Sequence, residues 1–432
     1  RILAPQPNMK NFLDKIFFRS NNLDFISKDI KDLTKNTTAN KIFDAINLYS
    51  SESEIRYVGG CIRKIINKEK VDDIDFATNL EPKQVCEALK KNDISYFESG
   101  INHGTITAID DEFKFEITSL RKDIFTDGRH AKVEFSKDWK EDASRRDFTI
   151  NSIYSDKDGN LFDPHNGKKD LENGKVNFIG LTDKRIKEDF LRILRYVRFF
   201  LNYSKQPHDP EVVKKLKMNI QGISKLSKER LLDELKKIAK IETLQKLSKD
   251  KISLEIILLI FPELKNIKIF SKLNESNKNF LKRNDFIFLI SLMIVDETDN
   301  VDYFLYKFNI STKNKKRIKN IDNFYKEKIS SKTFNQNNMN KYFYYYGREA
   351  TLDILNFKLV KLNKVDKSLT ELVKYYENKE ALIMPVKADF LMKKYEIPKG
   401  KLIGEKLKRI EEEWVKNNFK ISDQEVDSIV NN

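Results

Sequence analysis

The spacing of apolar residues changes character once along the chain. Between about residues 40 and 155, short runs alternating apolar with polar positions (IRYVGG, DIDFAT, GTITAI, FKFEITSL and FTINSIYS) are separated by turn residues and read as β-strands. A stretch with helical spacing, PKQVCEALKKN, falls between the second and third of them. From about residue 182 glycines become scarce and apolar positions recur every three or four residues, as in KEDFLRILRYVRFFLNY, KERLLDELKKIAK and SLTELVKYYENKEAL, which predicts helices. The expected fold class is therefore α+β: an N-terminal domain with a mixed sheet, followed by an all-helical remainder.

At 432 residues the chain is too long for one core. The expected divisions are residues 1–36, an N-terminal leader and helical segment; 37–155, the sheet domain; 156–225, a first helical domain; 226–345, a helical body; and 346–432, a helical tail. Arg1 to Asn8 precede Met9 and lack the apolar run of a secretory signal. No apolar stretch approaches the roughly 20 residues of a membrane span, so none is expected. Cys61 and Cys86 fit neither a zinc spacing nor a disulfide framework, which points to a reducing compartment, by default the cytoplasm.

Charge sharpens the picture. The net charge of +15 has a polyanionic partner as its ordinary physical reason, and a composition rich in Lys, Asn and Ile as its competing one. The run KNKKRIK (Lys313 to Lys319) reads as a solvated helix face in preference to an RNA contact.

Candidate chemistry begins at "VGGCIRKIINKEKVDDIDFATNL", residues 58 to 80. In a strand, positions two apart face the same way, so Asp73 and Asp75 present both carboxylates to one side while Ile74 and Phe76 face the core. Two hard oxygen ligands on one face suit magnesium, and Glu116 in FKFEITSL can add a third carboxylate from a neighbouring strand. Gly59 and Gly60 let the backbone approach a ligand closely, and Arg63 follows within reach of phosphate oxygens. Together these parts suit a metal-bound nucleoside triphosphate.

A second constellation lies in KEDFLRILRYVRFF. Asp189 and Arg192 are three residues apart and, on one helix, would be neighbours. Arg195 and Arg198 continue at the same step, while Phe190, Ile193, Leu194 and Val197 gather on the side to be buried. An amphipathic helix with surface ion pairs would look the same. Yet a carboxylate accepts and a guanidinium donates, so side by side they complement an exocyclic amine next to a ring nitrogen acceptor. Cytosine and adenine present that pair on their pairing edges; guanine and uracil present the reverse. Such a pair admits CTP and ATP and leaves groups unpaired against GTP and UTP, with Arg195 and Arg198 left to hold the triphosphate or brace the fold.

These motifs resemble those of the class II tRNA nucleotidyltransferases, the CCA-adding enzymes and bacterial poly(A) polymerases of the polymerase β superfamily. "GGCIR…DIDFAT" is similar to the family's catalytic motif, "RRDFTINSIY" (Arg145 to Tyr154) to its second and "DPHNGKKDL" (Asp163 to Leu171) to its third. "EDFLR" (Glu188 to Arg192) is similar to its nucleotide-selecting motif, and "KERLLDEL" (Lys228 to Leu235) to the helical motif that follows. The resemblance implies a polymerase-β-like head followed by helical neck, body and tail. It implies a catalytic set of Asp73, Asp75 and Glu116, with Asp73 and Asp75 holding two magnesium ions. It also implies nucleotide contacts from Gly60, Arg63, Arg146, Asp189, Arg192, Arg195 and Arg198, with Asn151 ordering the site. The implied reaction is attack of a tRNA 3′-hydroxyl on the α-phosphate of CTP or ATP, with pyrophosphate leaving and no protein nucleophile. The implied partner is the acceptor end of tRNA, with no membrane and no obligatory protein partner.

The four histidines form no catalytic constellation; His103 reads as structural, and His130 lies in the segment the family uses as a flexible loop (Asp127 to His130). Two departures stand out: Lys64 where the family has an acid, and a C-terminal glycine-proline signature reduced to EIPKGKLIGEKL (Glu396 to Leu407). The alternatives are a bacterial poly(A) polymerase, an enzyme adding only CC or only A, and a catalytically silent RNA-binding scaffold. The segments ESGINHGTITAI and TDGRHAKVEF resemble the CCA-adding branch, and an idle cluster of acids in a basic protein would be costly to hold together without metal.

Overall fold

The computed structural model describes residues 25–126, 131–327 and 333–431. Two helices, α1 (Phe25–Asn36) and α2 (Ala39–Asn47), precede a seven-stranded sheet. Its strands are β1 (Ile55–Val58), β2 (Ile74–Thr78), β3 (Ser95–Gly100), β4 (Thr105–Asp110), β5 (Phe113–Ser119), β8 (Tyr154–Ser155) and β9 (Leu161–Phe162), in the order β3-β4-β5-β2-β1-β8-β9. β2 and β5 run parallel and the other neighbours antiparallel, so the sheet is mixed as the sequence predicts. Helices α3 (Gly60–Ile66) and α4 (Pro82–Lys91) follow β1 and β2. Strands β6 (Arg121–Thr126) and β7 (Ala131–Phe135) form a separate hairpin, and the loop residues Asp127 to His130 lie outside the described residues.

Alternation along β2 sets the two faces of the sheet. Phe76 is fully buried; it stacks on Tyr57 (4.8 Å) and meets Phe43 edge-on (5.3 Å), and with Phe115 these rings fill the core beneath α1 and α2. The opposite face carries Asp75 and then Ala77, which packs with Val58, Leu120, Ala143 and Tyr154. The hydroxyl of Tyr57 shares a 2.9 Å hydrogen bond with Thr34 of α1, so even the polar tip of this core ring is satisfied.

One expected strand is not a strand. In FTINSIYS, residues Thr149–Asn151 form a 3₁₀ turn and only Tyr154–Ser155 joins the sheet. Side chains outcompete the ladder here: the Asp147 carboxylate accepts from the Phe148 N–H (2.9 Å) and the Asn151 amide (2.9 Å), and Ser152 Oγ donates to the Thr149 carbonyl (2.9 Å). The edge strand β3 and the β6–β7 hairpin, for their part, were not among the expected strands.

Helices α5 (Trp139–Arg145), α6 (Gly167–Glu172), α7 (Thr182–Glu188), α8 (Arg192–Tyr203), α9 (Pro210–Met218) and α10 (Lys228–Ile238) complete a first compact unit, which runs to Ile238 and regains Asp250–Ile260. Helix Lys251–Ile260 belongs to it, and Asp250 there shares a 2.8 Å hydrogen bond with His208 Nε2. The second unit, Ala239–Lys249 with Phe261–Asn432, is helical throughout its described residues. In it the basic run on helix Thr312–Lys326 is only partly a solvated face. Lys313 and Lys316 are exposed, whereas Arg317 turns inward to Asp353 (2.6 Å) and Asp285 (2.5 Å). Among the described residues no helix is long and apolar enough to cross a membrane.

Helix α6 docks directly on the 3₁₀ turn. Asp163 accepts the Gly167 and Lys168 N–H groups (2.7 and 2.9 Å), Asp170 accepts Thr149 Oγ1 (2.7 Å), and a β-carbon at Gly167 would lie 2.1 Å from the Thr149 carbonyl oxygen. Gly167→Ala is therefore expected to cost about 1–3 kcal/mol by forcing the two elements apart, read as a lower urea midpoint; an unchanged midpoint would show that this approach is not obligatory.

Candidate active site

β1 ends at Val58 and is followed by Gly59, whose φ of +67° is a left-handed conformation that suits glycine, and the chain turns at once into α3. A β-carbon at Gly59 would sit 3.6 Å from Arg146 Nη1, and one at Gly60 would sit 3.8 Å from Asp75 Oδ2. The turn thus lies between a guanidinium and an acid. One helical turn on, Arg63 is buried, donates through Nη1 to Asn151 Oδ1, and rests on the rings of Phe199 and Tyr203 (4.8 and 5.0 Å to the centroids). Lys64, at the position where the resembled family has an acid, pairs with Asp72, immediately before Asp73.

In the parallel β2–β5 pair Asp75 stands opposite Glu116. Burial first, then the charges of Glu116 and Asp73, push the Asp75 carboxyl up to about 6 against the pull of Arg146 and Arg63. Like charges brought together at the end of a strand are what a cation would relieve, and the donors are hard oxygens of the kind magnesium takes. Among the described residues no three His, Cys, Asp or Glu side chains are gathered tightly enough to hold an ion by themselves. The residues fit an ion that takes two aspartates and completes its shell with substrate and water oxygens.

The basic side of the site is held by buried acids that the sequence did not single out. Asp142 of α5, 1% exposed, accepts Arg145 Nε and Nη2 (2.9 and 2.7 Å), Arg146 Nη2 (3.1 Å) and the Tyr154 hydroxyl (2.7 Å). Burial alone would raise the Asp142 carboxyl; Arg146 and Arg145 override it and hold it well below the carboxylate range. Asp147 accepts Arg195 Nε (2.6 Å) on one oxygen and Asn151 on the other, which links α8 through Asn151 to Arg63. Glu234 of α10, also 1% exposed, accepts Arg198 Nε (2.5 Å).

Asp189 and Arg192 do not share a helix. α7 stops at Glu188, Asp189 is extended (φ −153°, ψ 105°), and α8 begins at Arg192. The break has local causes: Asp189 Oδ1 accepts the Leu191 N–H (3.1 Å), and Arg230 of α10 takes Oδ2 (2.8 Å). Phe190, expected to be buried, is only half-buried and lies over Gly222. Arg192 is buried, with Nη1 on the Arg185 carbonyl (2.7 Å) and Glu188 Oε2 (2.8 Å) and Nη2 on the Arg145 carbonyl (3.2 Å). Nε–H and the second Nη2–H remain unused by these bonds.

Gly60, Arg63, Asp73, Asp75, Glu116, Arg146, Asp189, Arg192, Arg195 and Arg198 all line one cleft of about 1110 Å³ within the first unit. Among the described residues, eleven Arg and Lys side chains face six carboxylates along its wall. His103, read from sequence as structural, is exposed on this wall, and Asn151 lies there as well. Arg145, Asp147, Arg185, Phe199 and Arg230 were missed. Arg145 and Asp147 flank Arg146 in the same motif, Arg230 lies in KERLLDEL and Phe199 follows Arg198, which were the available signals; nothing local marks Arg185.

The cleft carries an electrostatic signature that can be measured. Because the Asp75 carboxyl is raised in the folded state, the stability linked to it is full below about pH 4 and lost as pH rises through about 6. Asp75→Asn is therefore expected to stabilise the protein in EDTA by about 2 kcal/mol at neutral pH, with the gain vanishing near pH 4. Urea unfolding of both proteins across that range tests it, and a pH-independent difference would contradict the electrostatic account.

Residues 55–177 match the poly A polymerase head domain. Over 188 residues the chain is 50% identical to human "CCA tRNA nucleotidyltransferase 1, mitochondrial", covering 43% of each protein, and over 279 residues it is 29% identical to a Streptococcus agalactiae CCA-adding enzyme, covering 63% of this chain and 67% of that one. The aligned region thus spans under half the length of the human relative. Among solved structures, the Bacillus stearothermophilus CCA-adding enzyme in complex with CTP superposes with a TM-score of 0.66 at 19% identity, over 88% of this chain and 92% of that one. The Thermotoga maritima CCA-adding enzyme complexed with tRNA gives 0.60 at 16%, over 95% and 98%. Residues 55–177 thus match the poly A polymerase head domain, and the chain has the fold of the CCA-adding enzymes.

Proposed function

We propose that this protein is a CCA-adding tRNA nucleotidyltransferase, which adds C, C and A from CTP and ATP to the 3′ end of tRNA without a template and releases pyrophosphate. The observation that carries this reading is the cleft itself, which sets the Asp189 acceptor and the Arg192 donor, each fixed by its own partners, in the same cavity as Asp73 and Asp75. An acceptor and a donor held rigid before the nucleotide arrives can choose a base by its edge. Arg192 offers N–H to the ring acceptor of cytosine or adenine, Asp189 accepts from the exocyclic amine, and uracil or guanine would face donor with donor.

Asp73 and Asp75 would hold two magnesium ions, which supply Lewis-acid activation of the tRNA 3′-hydroxyl and neutralise charge on the triphosphate. Glu116, on the adjacent strand, strengthens the negative potential that makes cation binding favourable there. Arg63, Arg146, Arg195 and Arg198 face the phosphates, and Gly60 leaves room for them beside Asp75. The basic surplus of the cleft suits the acceptor end of tRNA as the second substrate. The reading places the protein where tRNA ends are matured, the cytoplasm by default; the human relative carries an organellar name.

Extension of a tRNA lacking its 3′ end with CTP, ATP or both, beside a CC-ended tRNA, tests the proposal. Two Cs and one A, then a stop, is the expected result; a long A ladder would make the protein a poly(A) polymerase. Arrest after CC, or addition only to the CC-ended substrate, would assign half the reaction.

Two variants localise the chemistry. Asp73→Ala is expected to reduce transfer to background while tRNA affinity in a filter assay stays near that of the parent; loss of binding with transfer retained would contradict the assignment. Arg192→Ala is expected to narrow discrimination against UTP by about 10- to 100-fold in relative kcat/KM, the weight of one or two directed hydrogen bonds. Unchanged selectivity would refute base reading by Arg192.

A further inference from the structure

Phe199 of α8 is 2% exposed, yet only part of its surroundings is apolar. Phe148 meets it edge-on (5.3 Å) and Tyr203 stacks beside it (6.0 Å). Toward the cleft it is surrounded by cations: the guanidinium carbons of Arg198, Arg63 and Arg195 lie 4.3, 4.8 and 5.4 Å from its ring centroid. Two of these arginines come from α8 and the third from α3.

Three guanidiniums around one buried ring repel one another. Burial, with the charges of Arg195 and Arg63, disfavours the charged form of Arg198 even though Glu234 opposes them. Carboxylates compensate two of the three, Asp147 for Arg195 and Glu234 for Arg198. Arg63 pairs with no carboxylate among the described residues; its hydrogen-bond partner is the neutral Asn151 amide, and its buried Nε–H finds no acceptor. The set therefore keeps positive charge in the wall of the cleft, beside Gly60 and Asp75.

The ring explains how such a set is held together. A carboxylate at its centre would bind the three arginines more tightly, but it would also cancel their charge and occupy their N–H groups. An aromatic face attracts each guanidinium through its quadrupole and takes no in-plane N–H. The donors stay available for an anion with several terminal oxygens, which guanidinium forks suit.

We infer that Phe199 is a positioning residue for polyphosphate binding, its ring gathering Arg63, Arg195 and Arg198 into one face that receives the triphosphate of the incoming nucleotide and retains the pyrophosphate that leaves. This rests on the nucleotidyltransferase reading above, but its test does not require turnover.

The experiment places mono-, di- and trifluorophenylalanine at position 199 of the full chain, which weakens the ring quadrupole stepwise with little change of shape. Affinity for magnesium pyrophosphate is measured by calorimetry, tRNA affinity in parallel, and thermal stability as a control; Phe199→Leu is the endpoint. The expected result is a graded loss of pyrophosphate affinity reaching about tenfold, with tRNA affinity and melting temperature constant across the fluorinated series. A flat series overturns the inference, including the case in which only Phe199→Leu weakens binding, since the ring would then serve packing alone. Graded loss of tRNA affinity in place of pyrophosphate affinity also overturns it, because the arginines would then grip RNA phosphates. Graded pyrophosphate binding in a protein that adds no nucleotide would leave the inference standing and remove the functional reading; nucleotide addition with a flat series would do the reverse.

Discussion

The parallel pairing of β2 with β5 is the constraint on which the site depends. It opposes Asp75 to Glu116 across adjacent strands, an arrangement that like charges disfavour, and Asp73 adds to the strain one step before the strand begins. Among the described residues no basic side chain pairs in contact with these acids. Arg63 and Arg146 act on Asp75 through space, and each has other partners. The negative charge here is thus balanced only at a distance by the described residues.

Much of what surrounds the cleft keeps those arginines from collapsing onto the acids. Asp142, Asp147 and Glu234 lie on three different segments, each is buried, and each grips guanidiniums that would otherwise be free to swing. Burying a carboxylate is expensive unless it is paired, and here every pairing also fixes the direction of a cleft arginine. Asp73, Asp75 and Glu116 face the cleft with no arginine paired to them among the described residues, whereas Asp142, Asp147 and Glu234 are each tied to arginines. The two sets differ in burial and not in chemistry.

That division explains what could be read from the sequence. Period-two and period-3.6 spacing located the strands that carry Asp75 and Glu116 and the helix that carries Arg195 and Arg198, whereas Asp73, expected on the strand with Asp75, precedes β2 and lines the same cleft from the connecting segment. Partners distant in sequence left no such trace. Nothing near Glu234 announces that it will hold Arg198, and nothing in β2 says that Glu116 will pair alongside in parallel. Local polar chemistry caused the other misses. Asp147 folded an apparent strand into a turn, and Asp189, with no glycine or proline beside it, ended one helix before the next began, by capping a neighbouring N–H and turning to Arg230.

The path of the chain between its two compact units is a further feature with a consequence. The first unit is left at Ile238, rejoined from Asp250 to Ile260 and left again, and the returning segment is anchored by the bond between Asp250 and His208. No single cut in the polypeptide yields both units whole. A cut after Ile238 or after Lys249 strips the first unit of its returning helix, and a cut after Ile260 leaves the second unit without Ala239–Lys249. Exchange of either unit as an intact module therefore takes more than one join in the chain.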